Sequence, residues 1–186
     1  MKLDNKKIAI LATNGFEQSE LEVPRDQLKA AGATVHIVSL QAGEIKGWDN
    51  KDWGRAVKVD KTLDQVSAGD YDAIVLPGGQ INPDLLRVEP KAIALIKDFF
   101  NQKKIVAAVC HAPWLLIEAG IAKGRKMTSY NSIKTDVMNA GATWEDAEVV
   151  VDNGVITSRN PGDLNAFSAK IVEEISKGKS AQRSAA

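Results

Sequence analysis

Five short runs rich in β-branched and small apolar residues, at 8–12, 34–40, 73–76, 105–109 and 148–151, are separated by segments whose apolar residues recur at helical spacing. Runs that stay apolar on both alternating faces are buried on both, and successive parallel strands need a crossover of about a dozen residues or more, usually a helix. The alternation therefore predicts an α/β fold: a mostly parallel sheet with helices on both faces. Three helices are legible. The segment 20–31 carries Leu21, Pro24 and Leu28 before Gly32 as a stop; 90–101 places Ile93, Leu95, Ile96 and Phe99 together; 163–175 aligns Leu164, Phe167, Ile171 and Ile175 after the Asn160-Pro-Gly162 turn.

Two segments depart from that alternation. Residues 43–59 hold Trp48 and Trp53 among Gly, Asp, Asn and Lys, which predicts a β-excursion. Its tryptophans are expected to cover a core edge or face a partner subunit rather than wall a pocket. Asp152-Asn-Gly154, between two β-branched runs, predicts a hairpin over 148–157. A chain of 186 residues suits one domain, expected at 1–177, and the small polar segment 178–186 is expected to be a frayed tail.

Charge and cysteine count narrow the function classes. The 24 basic residues balance 24 acidic ones, so no global field points to nucleic acid or an anionic membrane, and the apolar stretch after the N-terminus is too short to span a bilayer. One cysteine permits no internal disulfide and is a poor start for a metal site, which suits a reducing cytoplasm. No G-x-G-x-x-G follows a strand and no P-loop is present, so a nucleotide cofactor is not expected.

In open α/β sheets ligands bind beyond the carboxyl ends of the strands, and the chemistry-bearing residues collect there. The strand at 105–109 runs straight into Cys110-His111-Ala112-Pro113, a candidate nucleophile elbow with proline suited to the first helical turn. Amides opening that helix would favour a thiolate, the nucleophilic form of cysteine. The first strand leads to Glu17 and Glu20, three residues apart and able to share a helix face. Either carboxyl, beside a thiolate, would be held protonated and could donate a hydrogen bond to sulfur. Pro77-Gly-Gly79 ends the third strand, where glycine lets backbone approach a ligand closely and supply an amide. Of the two histidines, His36 sits inside a β-rich run and reads as structural. His111 adjoins the thiol and could relay a proton if a third group orients its ring. Asp84 is one candidate for that group, and spacing alone does not choose it over other acids.

Taken in order, Glu17 and Glu20, Leu76-Pro-Gly-Gly79, Ala108-Val-Cys-His-Ala-Pro-Trp-Leu-Leu116, Arg125-Lys-Met-Thr-Ser-Tyr130 and Ala147-Glu-Val-Val-Val-Asp152 resemble the PfpI-type intracellular protease family. That family belongs, with the Parkinson-associated deglycases, to the class I glutamine amidotransferase-like superfamily. The resemblance implies a flavodoxin-like three-layer sandwich with Cys110 as nucleophile, Glu20 as the carboxyl beside the sulfur and Glu17 as its companion. It implies oxyanion-side amides at Gly79 and His111, and Tyr130 near the pocket. It also implies a homo-oligomer, dimer or hexamer, in which Asp84 of a neighbouring subunit orients His111. The family protease has glutamate at that position, and Ala112 replaces the usual glycine of Cys-His-Gly-Pro. Three activities are implied: a cofactor-free glyoxalase or deglycase acting on small carbonyls, a cysteine peptidase acting on peptides, or a non-enzymatic redox-sensing stress protein or holdase. The first is favoured, because a small dicarbonyl needs only a shallow pocket, whereas peptide hydrolysis also needs a firmly oriented histidine to protonate the leaving amine.

Overall fold

The computed structural model describes residues 2–178. The expected tail at 178–186 lies outside them except for Gly178. Strand β1 (Lys7–Leu11) leads through β2 (Phe16–Glu17) into α1 (Gln18–Ala30) and returns as β3 (Thr34–Ser39). The hairpin β4 (Glu44–Asp49) and β5 (Asp52–Lys58) follows, then β6 (Lys61–Thr62), β7 (Ala73–Leu76), α2 (Ile81–Leu86) and α3 (Pro90–Asn101). The chain continues through β8 (Ile105–Val109), α4 (Pro113–Glu118), β9 (Lys126–Met127), α5 (Lys134–Asn139) and β10 (Thr143–Trp144). It closes with β11 (Val150–Asp152), β12 (Val155–Ser158) and α6 (Leu164–Ser176).

The main sheet has seven strands in the order β11-β12-β8-β7-β1-β3-β6. Every pairing is parallel except β11 with β12. That edge pair is the expected hairpin. Asn153 and Gly154 both have positive φ, +50° and +86°, the requirement of a type I′ turn. The strand expected at 148–151 is thus the antiparallel edge, and its hairpin partner β12 lies against β8.

Alternation along each strand divides the core into two layers. Ile8, Ile10, Val75, Ala107 and Val109 face Leu21 and Leu28 of α1 and Phe167, Ile171 and Ile175 of α6. Ala9, Leu11, Ile74, Leu76, Val106 and Ala108 face Leu95, Ile96 and Phe99 of α3 and Leu115 and Leu116 of α4. This is the flavodoxin-like sandwich expected from the sequence. β7 and β8 are buried along their whole length, which is why they read as unbroken apolar runs.

β1 lies between β3 and β7, so the chain passes to one side of β1 and then returns to the other. The segments after β1 and β7 therefore diverge and leave a crevice at the strands' carboxyl ends, with β8 beside it. The β-excursion is confirmed as the β4–β5 hairpin, whose cross-strand tryptophans, Trp48 and Trp53, meet edge to face at 5.6 Å. Its seat is Gln18, whose Oε1 accepts from the Arg55 amide at 2.7 Å. A Cβ at Gly47 or Gly54 would lie 2.5 or 2.2 Å from that same oxygen, so a side chain at either position would push Gln18 off its seat.

Candidate active site

Cys110 has φ +63°, a left-handed conformation that a non-glycine residue adopts at a cost on the order of 1–3 kcal/mol. Two backbone bonds hold it there. Its amide donates to Ser158 O at 3.0 Å, and its carbonyl accepts from the Tyr130 amide at 2.8 Å. The sharp turn between β8 and α4 has the strand–turn–helix shape of the candidate elbow. The side chain is only 5% exposed and opens into a cleft of about 460 Å³.

Three segments converge on the sulfur. His111 follows in sequence and places Nδ1 3.1 Å from Sγ. From α1, Glu20 is fully buried and interacts with Cys110 through its carboxyl. From the loop after β7, the Gly79 amide acts on the Cys110 thiol, as does that of His111, both favouring its ionised form. The loop tolerates nothing larger: a Cβ on Gly78 would lie 2.6 Å from Glu20 Oε2 and 2.7 Å from Val109 O. Gly79 adopts φ +81° against the backbone of Gly15 and Glu17.

Glu20 Oε2 accepts from the Gly78 amide at 2.7 Å, whereas no N–H or O–H donates to its buried Oε1. An ionised carboxylate there would leave charge unsatisfied; the neutral acid does not. Burial raises the carboxyl to about 8, helped by the nearby Glu17, so Glu20 carries its proton at neutral pH. Burial also pushes the Cys110 thiol up, followed by the charge of an ionised Glu20, while the amides of Gly79 and His111 act in the opposite sense. With Glu20 protonated, its charge is absent and the two amides remain. Burial lowers His111, which keeps its imidazole neutral.

Glu17 lines the same cleft, raised by partial burial and then by Asp49. Tyr130 also lines it and stacks on the His111 ring at 4.8 Å. Trp48, expected at a core edge or subunit contact, instead helps wall this cleft; Trp53 is 45% exposed. The hairpin bends over the carboxyl end of β1 through its pairing with β2, a placement that local sequence does not encode. Asp84 is exposed in the first turn of α2 and is not bonded to His111 within the chain. His36, expected to be structural, lies in β3 with Nδ1 3.0 Å from the Tyr71 hydroxyl.

Two contributors escaped the sequence reading. Asn82 is wholly buried; its Oδ1 accepts from the Thr13 amide at 2.7 Å and its Nδ2 donates to Pro77 O at 2.8 Å, tying the loops after β1 and β7 together. A polar residue in the turn Gly79-Gln-Ile-Asn82 was its only signal. Ser132 places Oγ 3.1 Å from His111 Nε2 and had no signal, because 21 residues separate them. A second cleft, about 540 Å³, opens beside Lys7, Tyr71 and Ile105 at the opposite ends of the strands and contains neither the thiol nor His111. No group of three or more metal-ligating side chains occurs among the described residues. None of the described helices is long and apolar enough to cross a membrane.

Comparison with known proteins places this geometry in context. The chain matches the DJ-1/PfpI family over residues 6–174. It is 45% identical over 167 residues to Deglycase PfpI of Pyrococcus furiosus, covering 90% of this chain and 98% of the relative. It is 45% identical over 166 residues to Protein/nucleic acid deglycase 2 of Escherichia coli, covering 88% and 94%. Drosophila melanogaster DJ-1beta superposes with a TM-score of 0.82 at 32% identity, over 94% of this chain and 90% of that one.

Proposed function

Because the chain belongs to the DJ-1/PfpI family, we propose that it is a cysteine-dependent enzyme of the deglycase type, acting on reactive carbonyls through Cys110 without glutathione. The observation that carries this reading is the strained elbow at Cys110, with Nδ1 of His111 3.1 Å from the sulfur and a neutral carboxyl beside it. His111 takes the thiol proton, and the thiolate adds to the aldehyde carbon of a 2-oxoaldehyde. The resulting oxyanion is met by the Gly79 and His111 amides and receives the proton that His111 took from the thiol. Transfer of the C1 proton to C2 and of the hydroxyl proton from the C1 oxygen to the C2 oxygen then converts the hemithioacetal to a 2-hydroxyacyl thioester. Water cleaves that ester, releasing the hydroxy acid and restoring the thiol. With a hemiaminal, the early adduct on an amine, the thiolate bonds to C1 as the C1–N bond breaks, the departing nitrogen takes the proton held by His111, and the same hemithioacetal forms. Glu17, Trp48 and Tyr130 shape the substrate side of the cleft, which no lysine or arginine lines among the described residues. A cytoplasmic stress-response setting and a homo-oligomeric assembly are part of the proposal.

The decisive experiment incubates the purified protein with methylglyoxal and, separately, with casein. Lactate should form without glutathione, and Cys110→Ala should reduce it at least about 100-fold. Cys110-dependent cleavage of casein without dicarbonyl turnover would establish the peptidase instead. Protection of a client protein that survives in Cys110→Ala, with no turnover of either substrate, would establish the holdase.

A further inference from the structure

We propose that Ser132 is the positioning residue for His111, its hydroxyl oxygen accepting the Nε2–H and so leaving Nδ1 unprotonated toward the Cys110 sulfur. The inference rests on the proton-relay role of His111 in the proposed function. A neutral imidazole carries one N–H, and the hydrogen bond available to the far nitrogen decides which nitrogen bears it. The near nitrogen faces sulfur at 3.1 Å and the far one faces Ser132 Oγ at the same distance. A base for the thiol needs its lone pair on the near nitrogen, hence its proton on the far one.

Ser132 can perform this task although it is exposed, because its backbone is held on both sides. Tyr130 donates its amide to the Cys110 carbonyl at 2.8 Å and stacks its ring on His111 at 4.8 Å. Ile133 is buried at 2% exposure, and its amide bonds back to Tyr130 O at 3.2 Å. The short turn Asn131–Ile133 is therefore referenced to the nucleophile's own carbonyl, and the serine is delivered from it. Edge contact with Trp114 at 5.3 Å bounds the imidazole on another side.

Proton transfer leaves this arrangement intact. The S–H bond breaks and an Nδ1–H bond forms, giving a thiolate beside an imidazolium whose Nε2–H still donates to Ser132. No other group gains or loses a proton in that step. The hydroxyl is neutral, so it orients the ring without adding the charge that a carboxylate would place there. Asp84 of a second copy, the acid implied by family resemblance, would compete for the same N–H.

The test reads the tautomer directly. The chain has two histidines, so 15N-histidine labelling gives two ring systems, and the signal lost in His36→Asn identifies the other as His111. In the substrate-free wild type, His111 should show the Nε2–H form. Ser132→Ala should give a mixture of tautomers and lower kcat for methylglyoxal about 10-fold with KM changed less than about twofold, and Ser132→Thr should restore both. An unchanged tautomer in Ser132→Ala overturns the proposal. So does loss of the Nε2–H form in Asp84→Ala with its retention in Ser132→Ala, which assigns the far nitrogen to the second copy. Tautomer loss in Ser132→Ala, in a protein that turns over no dicarbonyl, supports the positioning and defeats only the proposed activity.

Discussion

The carboxyl of Glu20 accepts the Gly78 amide at 2.7 Å, so the acid that faces the sulfur is anchored to a loop ending a different strand from the one that carries Cys110. That bond and the interaction of the same carboxyl with Cys110 couple α1, the β7 loop and the turn at Cys110. Disturbing any of the three should disturb the reacting atoms.

The first expectation follows from the proton on Glu20. Its folded value of about 8 stands above the ordinary 4.5, so between those pH values the folded chain holds a proton that the unfolded chain has lost. The stabilisation is fully present below pH 4.5 and is lost as pH rises through 8. At about 1.4 kcal/mol per pH unit over that window, the ceiling is roughly 5 kcal/mol. Glu20→Gln keeps an acceptor for Gly78 and does not titrate, so its stability should be flatter with pH. Urea unfolding at pH 5, 6.5 and 8 measures the difference, and parallel curves for the two proteins would show that Glu20 is ionised throughout.

A second expectation concerns oxidation. Cys110 is 5% exposed and Met138 is 51% exposed, so access alone would direct peroxide to the methionine. Burial opposes ionisation of the thiol, but proton transfer to His111 Nδ1, 3.1 Å from the sulfur, would supply a thiolate and reverse that order. Mild peroxide should carry Cys110 to sulfenic and then sulfinic acid first, with the Glu20 carboxyl available to the oxidised sulfur. Peptide mapping should show slower Cys110 oxidation in Glu20→Leu; equal rates in both proteins would remove Glu20 from the sulfur's environment, and prior oxidation of Met138 would argue against a thiolate.

The loop after β7 supplies a third. In Gly78→Ala the new methyl would meet the Val109 carbonyl at 2.7 Å and Glu20 Oε2 at 2.6 Å, and the carbonyl belongs to a central strand. The cost should be about 1–3 kcal/mol, as for overpacking elsewhere. Activity should fall more than about 10-fold, because the adjacent Gly79 amide moves with the loop. Gly124→Ala provides a contrast: nothing lies within 4 Å of its added methyl, so its effect should come from backbone strain at φ +76° and leave the site's kinetics unchanged. Thermal unfolding and methylglyoxal kinetics on both variants separate the two effects, and equal kinetic losses would detach Gly78 from the site.

Much of this protein was legible along the chain, because local chemistry sufficed. The unbroken apolar run Ile105–Val109 read as a strand buried on both faces, and the helix Pro90–Asn101 showed its periodicity. Cys110, the pair Glu17 and Glu20, and Gly79 stood out because each follows the carboxyl end of a strand, where this class of fold collects ligands, and only the family resemblance chose Glu20 over Glu17. The paired tryptophans misled. Trp48 and Trp53 mark a hairpin, but the pairing of Phe16 with Gly47 decides where that hairpin bends, and it brings Trp48 to the cleft.

The sequence by itself determined the layers, the strand ends and the place of the candidate nucleophile, since periodicity, turn residues and a lone thiol act over a few residues. Tertiary structure alone decided which groups meet. Asn82 reaches the Thr13 amide across 69 residues, and Ser132 reaches His111 across 21. The proton on Glu20 is likewise a tertiary property. Its carboxyl is ordinary in a helix's first turn, and becomes neutral only where packing removes water and leaves one oxygen without a donor.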